Sequence, residues 1–326
     1  MSSTASITDR LLAGDRTALA RLITWAENGD ERFPEALSAV YGRVGQGWRV
    51  GITGPPGAGK STLVNEMARL QRAQDLTVGV LAVDPSSPFT GGALLGDRIR
   101  MEDRTMDQGV FIRSMASRGS HGGLAKAAVD ACDVMDAFGL DSILLETVGV
   151  GQAEYDVLEA VDTVAVVLCP GAGDGVQAMK AGLLEVADVL VVNKADQPGA
   201  DRLIADMNEA IHVRFLPDRD WEVPVVPCSA GTSFGVEDVL AAIADHRAYL
   251  ERTGLAEVRR AKRLIQIRQV VDAGLSEALW DRRGFGDLAD RELVGERTPY
   301  DVADSILKTV LAEISAAPTA TGGTPA

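Results

Sequence analysis

One nine-residue run, GPPGAGKST, constrains this chain more than any other feature. Gly54, Pro55, Pro56, Gly57, Ala58, Gly59, Lys60 and Ser61, followed by Thr62, fit G-x-x-x-x-G-K-[ST]. The flanks are what that pattern needs. Residues 48–53 are apolar and read as a buried strand, and 60–74 places Leu63, Met67 and Leu70 on one helical face. Glycines let the backbone turn its N–H groups inward around phosphate oxygens. The helix N-terminus that follows favours negative charge. Lys60 supplies a positive charge to terminal phosphates, and Ser61 offers a hydroxyl to Mg²⁺. A nucleoside triphosphate is the ligand this arrangement implies.

Short apolar, β-branched segments at 76–83, 110–113, 141–146, 163–169, 188–192 and 222–226 continue the strand pattern. Helical patterns at 123–138 and 201–212 fall between them. The alternation predicts an α/β fold, a doubly wound and mostly parallel sheet of the P-loop NTPase kind. Residues 7–42 read as helical, with Leu11, Leu12, Leu19, Leu22, Ile23 and Trp25 at helical spacing, and GRVGQG at 42–47 reads as a hinge or a tight connection. Beyond 252 the strands stop. Helices are expected at 255–280 and 300–314, joined by a charged, glycine-containing stretch at 281–298. The tail 316–326 is low in complexity and reads as disordered. The expected organisation is a helical extension over 1–47, a nucleotide-binding domain over 48–252, a helical extension for dimerisation or partner contact over 253–315, and the tail. Plain packing of the extensions against the core is an equal alternative.

The base is read by a second motif. Asn193, Lys194 and Asp196 form N-K-x-D directly after the strand at 188–192. Asp196 can accept hydrogen bonds from the ring N–H and exocyclic amine of guanine, a donor pair that adenine lacks. Asn193 can brace the loop, and the Lys194 stem can cover the base plane. Ser229, Ala230 and Gly231 follow the next strand, where their backbone N–H groups can meet the guanine carbonyl. Read alone, they form a simple turn.

Carboxylates gather at the same sheet edge. Glu146 ends a strand and Gly149 follows it, an E-x-x-G in place of the usual D-x-x-G of GTPases, so a carboxylate stays near the metal while Gly149 N–H senses the γ-phosphate. Asp84 and Asp97 lie at or beyond the end of the strand at 76–83 and can reach a metal or its water. Asp84 can equally cap a helix.

Composition narrows the partners. With 32 Lys+Arg against 47 Asp+Glu the net charge is −15, which argues against a dedicated nucleic-acid binder and against an anionic membrane surface. No apolar run approaches the roughly 20 residues of a membrane span. Residues 1–10 lack a signal or transit pattern, so the cytoplasm is the expected location. Cys132, Cys169 and Cys228 are too few and too scattered for a disulfide framework or a metal site, and read as buried thiols.

Together GPPGAGKST, AVDPSSP (82–88), GGALLGDRIRM (91–101), ETVGVGQ (146–152), NKAD (193–196) and CSAG (228–231) resemble the MeaB/MMAA/ArgK group of SIMIBI-class GTPases, over residues from about 10 to 315. The resemblance implies a homodimeric G-protein chaperone of adenosylcobalamin-dependent methylmalonyl-CoA mutase, which gates cofactor loading and protects or reactivates the mutase. It implies nucleotide contacts at 54–62, Asp196 and 229–231, and Mg²⁺-linked acids at Asp84, Asp97 and Glu146. It also places Gln177 and Lys180 in a further switch loop that relays partner binding. Gln152 is the candidate for positioning the attacking water, with helix-capping or interface roles open to it. Arg98, Arg113 and Arg118 are arginine-finger candidates by proximity alone, with surface roles equally open to them. Slow hydrolysis, accelerated by a partner, is expected. The competing readings are a metal-insertion GTPase of the hydrogenase or urease type, which usually carries clustered Cys or His, and a transport-linked ATPase or kinase, which needs an adenine site.

Overall fold

Strands buried on both faces need helices above and below, and the chain supplies them. The computed structural model describes residues 3–84, 107–116, 121–147, 158–171, 182–213, 220–293 and 297–316. Seven strands pair in parallel: β1 (Trp48–Thr53), β2 (Val78–Asp84), β3 (Val110–Ala116), β4 (Ser142–Thr147), β5 (Thr163–Leu168), β6 (Val189–Val192) and β7 (Val225–Pro227). Their order is β3-β2-β4-β1-β5-β6-β7. Every position of β1, β4, β5 and β6 is buried, as a sheet covered on both sides demands.

Alternate residues serve opposite faces. Val50, Ile52, Val80, Leu144 and Val191 pack with Leu63 and Met67 of α4 (Lys60–Arg72) and with Val236, Val239 and Ile243. Leu81, Leu145, Val166 and Val192 face α5 (His121–Phe138), the N-terminal helices α1 (Ser3–Leu12), α2 (Arg16–Asn28) and α3 (Phe33–Val40), and Leu203 and Met207 of the later helices. A four-residue α6 (Leu183–Val186) precedes β6, and α7 (Ala200–Val213) precedes β7. The helix α8 (Val236–Thr253) is absent from the sequence reading; its buried positions include Ala242 and His246, which dilute the apolar stripe.

The edge strand β3 is covered rather than open. Arg16 of α2 donates to the carbonyls of Gln108 (2.7 Å) and Val110 (2.5 Å). Arg113 of β3 donates to Thr24 Oγ1 at 3.1 Å and pairs with Glu27. This corrects the arginine-finger reading of Arg113: its guanidinium fastens α2 to the sheet.

At the opposite end of the sheet from the phosphate loop lies an ionic floor. Arg49 of β1 bonds both Asp133 and Asp136 of α5 at 2.8 Å. Burial opposes its charge, yet Asp133 and then Asp136 hold the guanidinium well above the ordinary arginine value. Asp136 also accepts the N–H groups of Gly45, Gln46 and Gly47, so 42–47 is the tight connection and not a hinge. Arg263 of α9 (Leu255–Glu277) reaches Asp133 at 2.6 Å, and Arg259 grips Asp162 at 2.8 Å. Asp133→Ala therefore leaves Arg49 buried with half its partners gone. Denaturant unfolding is expected to show a loss of about 3–5 kcal/mol; a loss within experimental error contradicts the reading.

The chain falls into two compact units, 1–263 and 264–326. In the second, α9 runs to Glu277, a π-helical turn covers Ala278–Arg282, and α10 (Phe285–Glu292) and α11 (Pro299–Ala316) follow. The stretch 281–298 was expected to be a linker, yet Phe285 anchors α10 in a small core with Val302 and Ile306. No helix among the described residues is long and apolar enough to cross a membrane.

Candidate functional site

Ligands of a parallel α/β sheet collect beyond the carboxyl ends of its strands, and here three loops meet there. The first leaves β1. Gly54 has φ +142°, and a Cβ on it would stand 2.0 Å from the Val167 carbonyl oxygen of β5. Gly59 has φ +90°, and its Cβ would stand 2.3 Å from Asn193 Nδ2. No other residue fits either place, so glycine is dictated by the neighbouring strand and by the base loop. Lys60 is buried at the start of α4, and its Nζ donates to the carbonyls of Gly54 (2.8 Å) and Pro55 (3.0 Å). The amine is thereby held over the loop that the sequence assigns to phosphates.

The second loop follows β6. Asn193 donates from Nδ2 to Ala58 O at 2.8 Å, and its Oδ1 accepts from Ala230 N at 3.0 Å. One side chain thus ties the phosphate loop to the third loop, after β7. Lys194 has φ +57° and lays its amine on Gly57 O at 2.7 Å. Its stem therefore crosses between the two loops.

Asp196 is oriented by Ser229. The Ser229 hydroxyl donates to Asp196 Oδ1 at 2.7 Å and accepts from Asp196 N at 3.1 Å. That hydroxyl, and then the residue's own amide, hold the Asp196 carboxyl below the usual carboxylate range. Near neutral pH it is a charged acceptor, fixed in direction and exposed at the site.

Glu146 is the penultimate residue of β4. Ser61 Oγ donates to its Oε1 at 2.6 Å, so the longer carboxylate does reach the hydroxyl the sequence pairs it with. A hydroxyl and a carboxylate are hard oxygen donors, the set that Mg²⁺ prefers, and the pair lies next to a phosphate-type loop. The residues present fit that ion.

Asp97, Gly149, Gln152, Gln177 and Lys180 lie outside the described residues, as do Arg98 and Arg118. Asp84 closes β2, and its side chain is likewise outside them. Two contacts escaped the sequence reading. Thr147 donates its hydroxyl to Thr53 at 2.9 Å, joining the strand ends that carry Glu146 and the phosphate loop. Cys169 approaches Gly57 O at 4.0 Å. No motif marks either, because each pairs residues far apart in the chain. All three cysteines are buried, and burial pushes the Cys132 and Cys228 thiols up to about 12.

Comparison with known proteins gives the family. Residues 19–283 match the family described as methylmalonyl-CoA mutase-associated GTPase MeaB. A Pyrococcus abyssi protein is 48% identical over 309 residues, covering 93% of this chain and 95% of its own. GTPase ArgK of Escherichia coli is 35% identical, covering 85% and 86%. The mouse mitochondrial methylmalonic aciduria type A homolog is 31% identical, covering 91% and 77%. Among solved structures, that of a LAO/AO transport system kinase superposes with a TM-score of 0.73 at 27% identity, over 95% of this chain and 99% of that one.

Proposed function

The chain belongs to the MeaB family of P-loop GTPases, and on that premise we propose that it couples GTP hydrolysis to the care of an adenosylcobalamin-dependent methylmalonyl-CoA mutase. In this reading it gates cofactor loading and protects or reactivates the mutase. The observation that carries the proposal is the extent of the family match. Residues 19–283 take in most of α2 and all of α3 and α9 as well as the sheet, so the likeness includes helices outside the GTPase core. The name of the mouse relative points the same way.

In this reading each site residue has a stated role. The backbone of residues 54–59 surrounds the phosphates, and Lys60 brings charge to the β- and γ-phosphates. Ser61 and Glu146 hold Mg²⁺, with Asp84 and Asp97 linked to it. When bound, Mg²⁺ neutralises charge on the phosphate oxygens. Asp196 reads guanine, Lys194 covers its plane, Asn193 braces the loop, and the amides of Ser229, Ala230 and Gly231 meet the base oxygen. Gln152 positions water, Gly149 senses the γ-phosphate, and Gln177 and Lys180 belong to the partner-sensing loop. An ionised acceptor at Asp196 suits the adjacent donors of guanine and disfavours an adenine-dependent kinase.

Hydrolysis is slow in the isolated chain and speeds up when a partner binds. Single-turnover GTP hydrolysis with and without the mutase tests this; an unchanged rate sinks it. Glu146→Ala is expected to raise the Mg²⁺ concentration needed for hydrolysis by about tenfold or more, and an unchanged Mg²⁺ titration contradicts the assignment.

The chain works in the cytoplasm as a homodimer. Support for self-association comes from α9, which has no buried residue although Leu264, Ile267, Val271 and Leu275 recur on it at helical spacing. Light scattering is expected to give twice the chain mass.

A further inference from the structure

On the loop after β7, whose Ser229 orients Asp196, stands an aromatic side chain that no motif includes. Phe234 ends the short loop that begins at Ser229, and the residue is 63% exposed. A lone exposed apolar residue needs no explanation; the position of this one does. Ser229 N donates to Phe234 O at 2.8 Å, and the two residues form an antiparallel bridge. Directly opposed residues of such a bridge project their side chains to the same face, with Cβ atoms about 5 Å apart. Ser229 sends its hydroxyl to Asp196 Oδ1 at 2.7 Å. The Phe234 ring is therefore on the face where Asp196 lies, and a phenyl ring is long enough to reach it.

The backbone of the turn around Phe234 is constrained. Ser233 before it has φ +63°, and Gly235 after it has φ +70°. A Cβ on Gly235 would stand 2.4 Å from Pro227 O, so the turn is pressed against the end of β7. The turn thus holds the backbone of an exposed, large apolar residue opposite Ser229, the residue that orients Asp196. Asp196 itself is exposed, and hydrogen bonds to an exposed carboxylate compete with water.

We propose that Phe234 is a specificity-determining residue that covers the purine edge bound by Asp196. With guanine in place, the ring shields the carboxylate's two hydrogen bonds from solvent. Apolar rims that exclude water strengthen the polar contacts they surround. The inference rests on the guanine reading of the site and adds a residue to it.

The test compares GDP with inosine diphosphate, which lacks the exocyclic amine, in the full chain by calorimetry. Phe234→Ala is expected to weaken GDP binding by about tenfold and to narrow the GDP-to-IDP affinity ratio. Phe234→Leu, which keeps an apolar cover, is expected to recover most of the loss. Both variants change an exposed side chain, so the thermal midpoint without nucleotide should not move. GDP affinity within twofold of wild type in Phe234→Ala overturns the proposal, as does an equal loss for GDP and IDP. A wild-type chain that binds GDP no better than ADP overturns the guanine reading instead, which keeps the two failures apart.

Discussion

Lys60→Ala is expected to lower single-turnover GTP hydrolysis by about 10³-fold, the scale found when a charged or polar group that stabilises a transition state is removed. The lysine is buried at the first turn of α4, with its amine fixed over the phosphate loop by the carbonyls of Gly54 and Pro55. Little reorganisation is needed for it to meet a terminal phosphate, and no neighbouring cation among the described residues of the loop can replace it. Lys194 is the nearest alternative, but its amine is committed to Gly57 O and its stem to the base side. Hydrolysis by the variant within tenfold of wild type contradicts the role given to Lys60.

Asp196→Ala is expected to reduce the preference for GTP over ATP by about 10²-fold or more. A buried or oriented acceptor that loses its donors is costly, and a site without the acceptor no longer tells the bases apart. The orientation is supplied by Ser229, which bonds Asp196 through both its carboxylate and its amide. The competition of ATP against a fluorescent GDP analogue measures the effect. Unaltered selectivity would falsify the base assignment.

The contiguous parts of this site were legible in the sequence, and the contacts between them were not. GPPGAGKST and N-K-x-D each concentrate their chemistry in one turn of chain, so residue type and spacing reveal them. The sheet was legible for the same reason: β1 lies at 48–53 as read, and β3 exceeds its expected end by only three residues. β7 begins at Val225 rather than 222, and Pro224 before it has no N–H to give a ladder. By contrast, the Asn193 bonds to Ala58 and Ala230, the Thr53–Thr147 pair and the Arg49–Asp133–Arg263 cluster join residues separated by long stretches of chain. Such pairings depend on how strands are ordered, which local patterns do not encode. Asp133 and Asp136 also sat on a helix read from its apolar face, and nothing in that periodicity marked them as buried acceptors. The sequence left 42–47 open between a hinge and a tight connection for the same reason, because the carboxylate that fastens the turn comes from α5.

The claim on which the rest depends is that one pocket, built from the loops after β1, β6 and β7, takes a guanine nucleotide. Calorimetric titration of the purified chain with GDP and with ADP, each with Mg²⁺, addresses it directly. The account predicts a saturable one-to-one heat with GDP and none with ADP at the same concentration. Equal heats for the two nucleotides, or no heat from either, would contradict it.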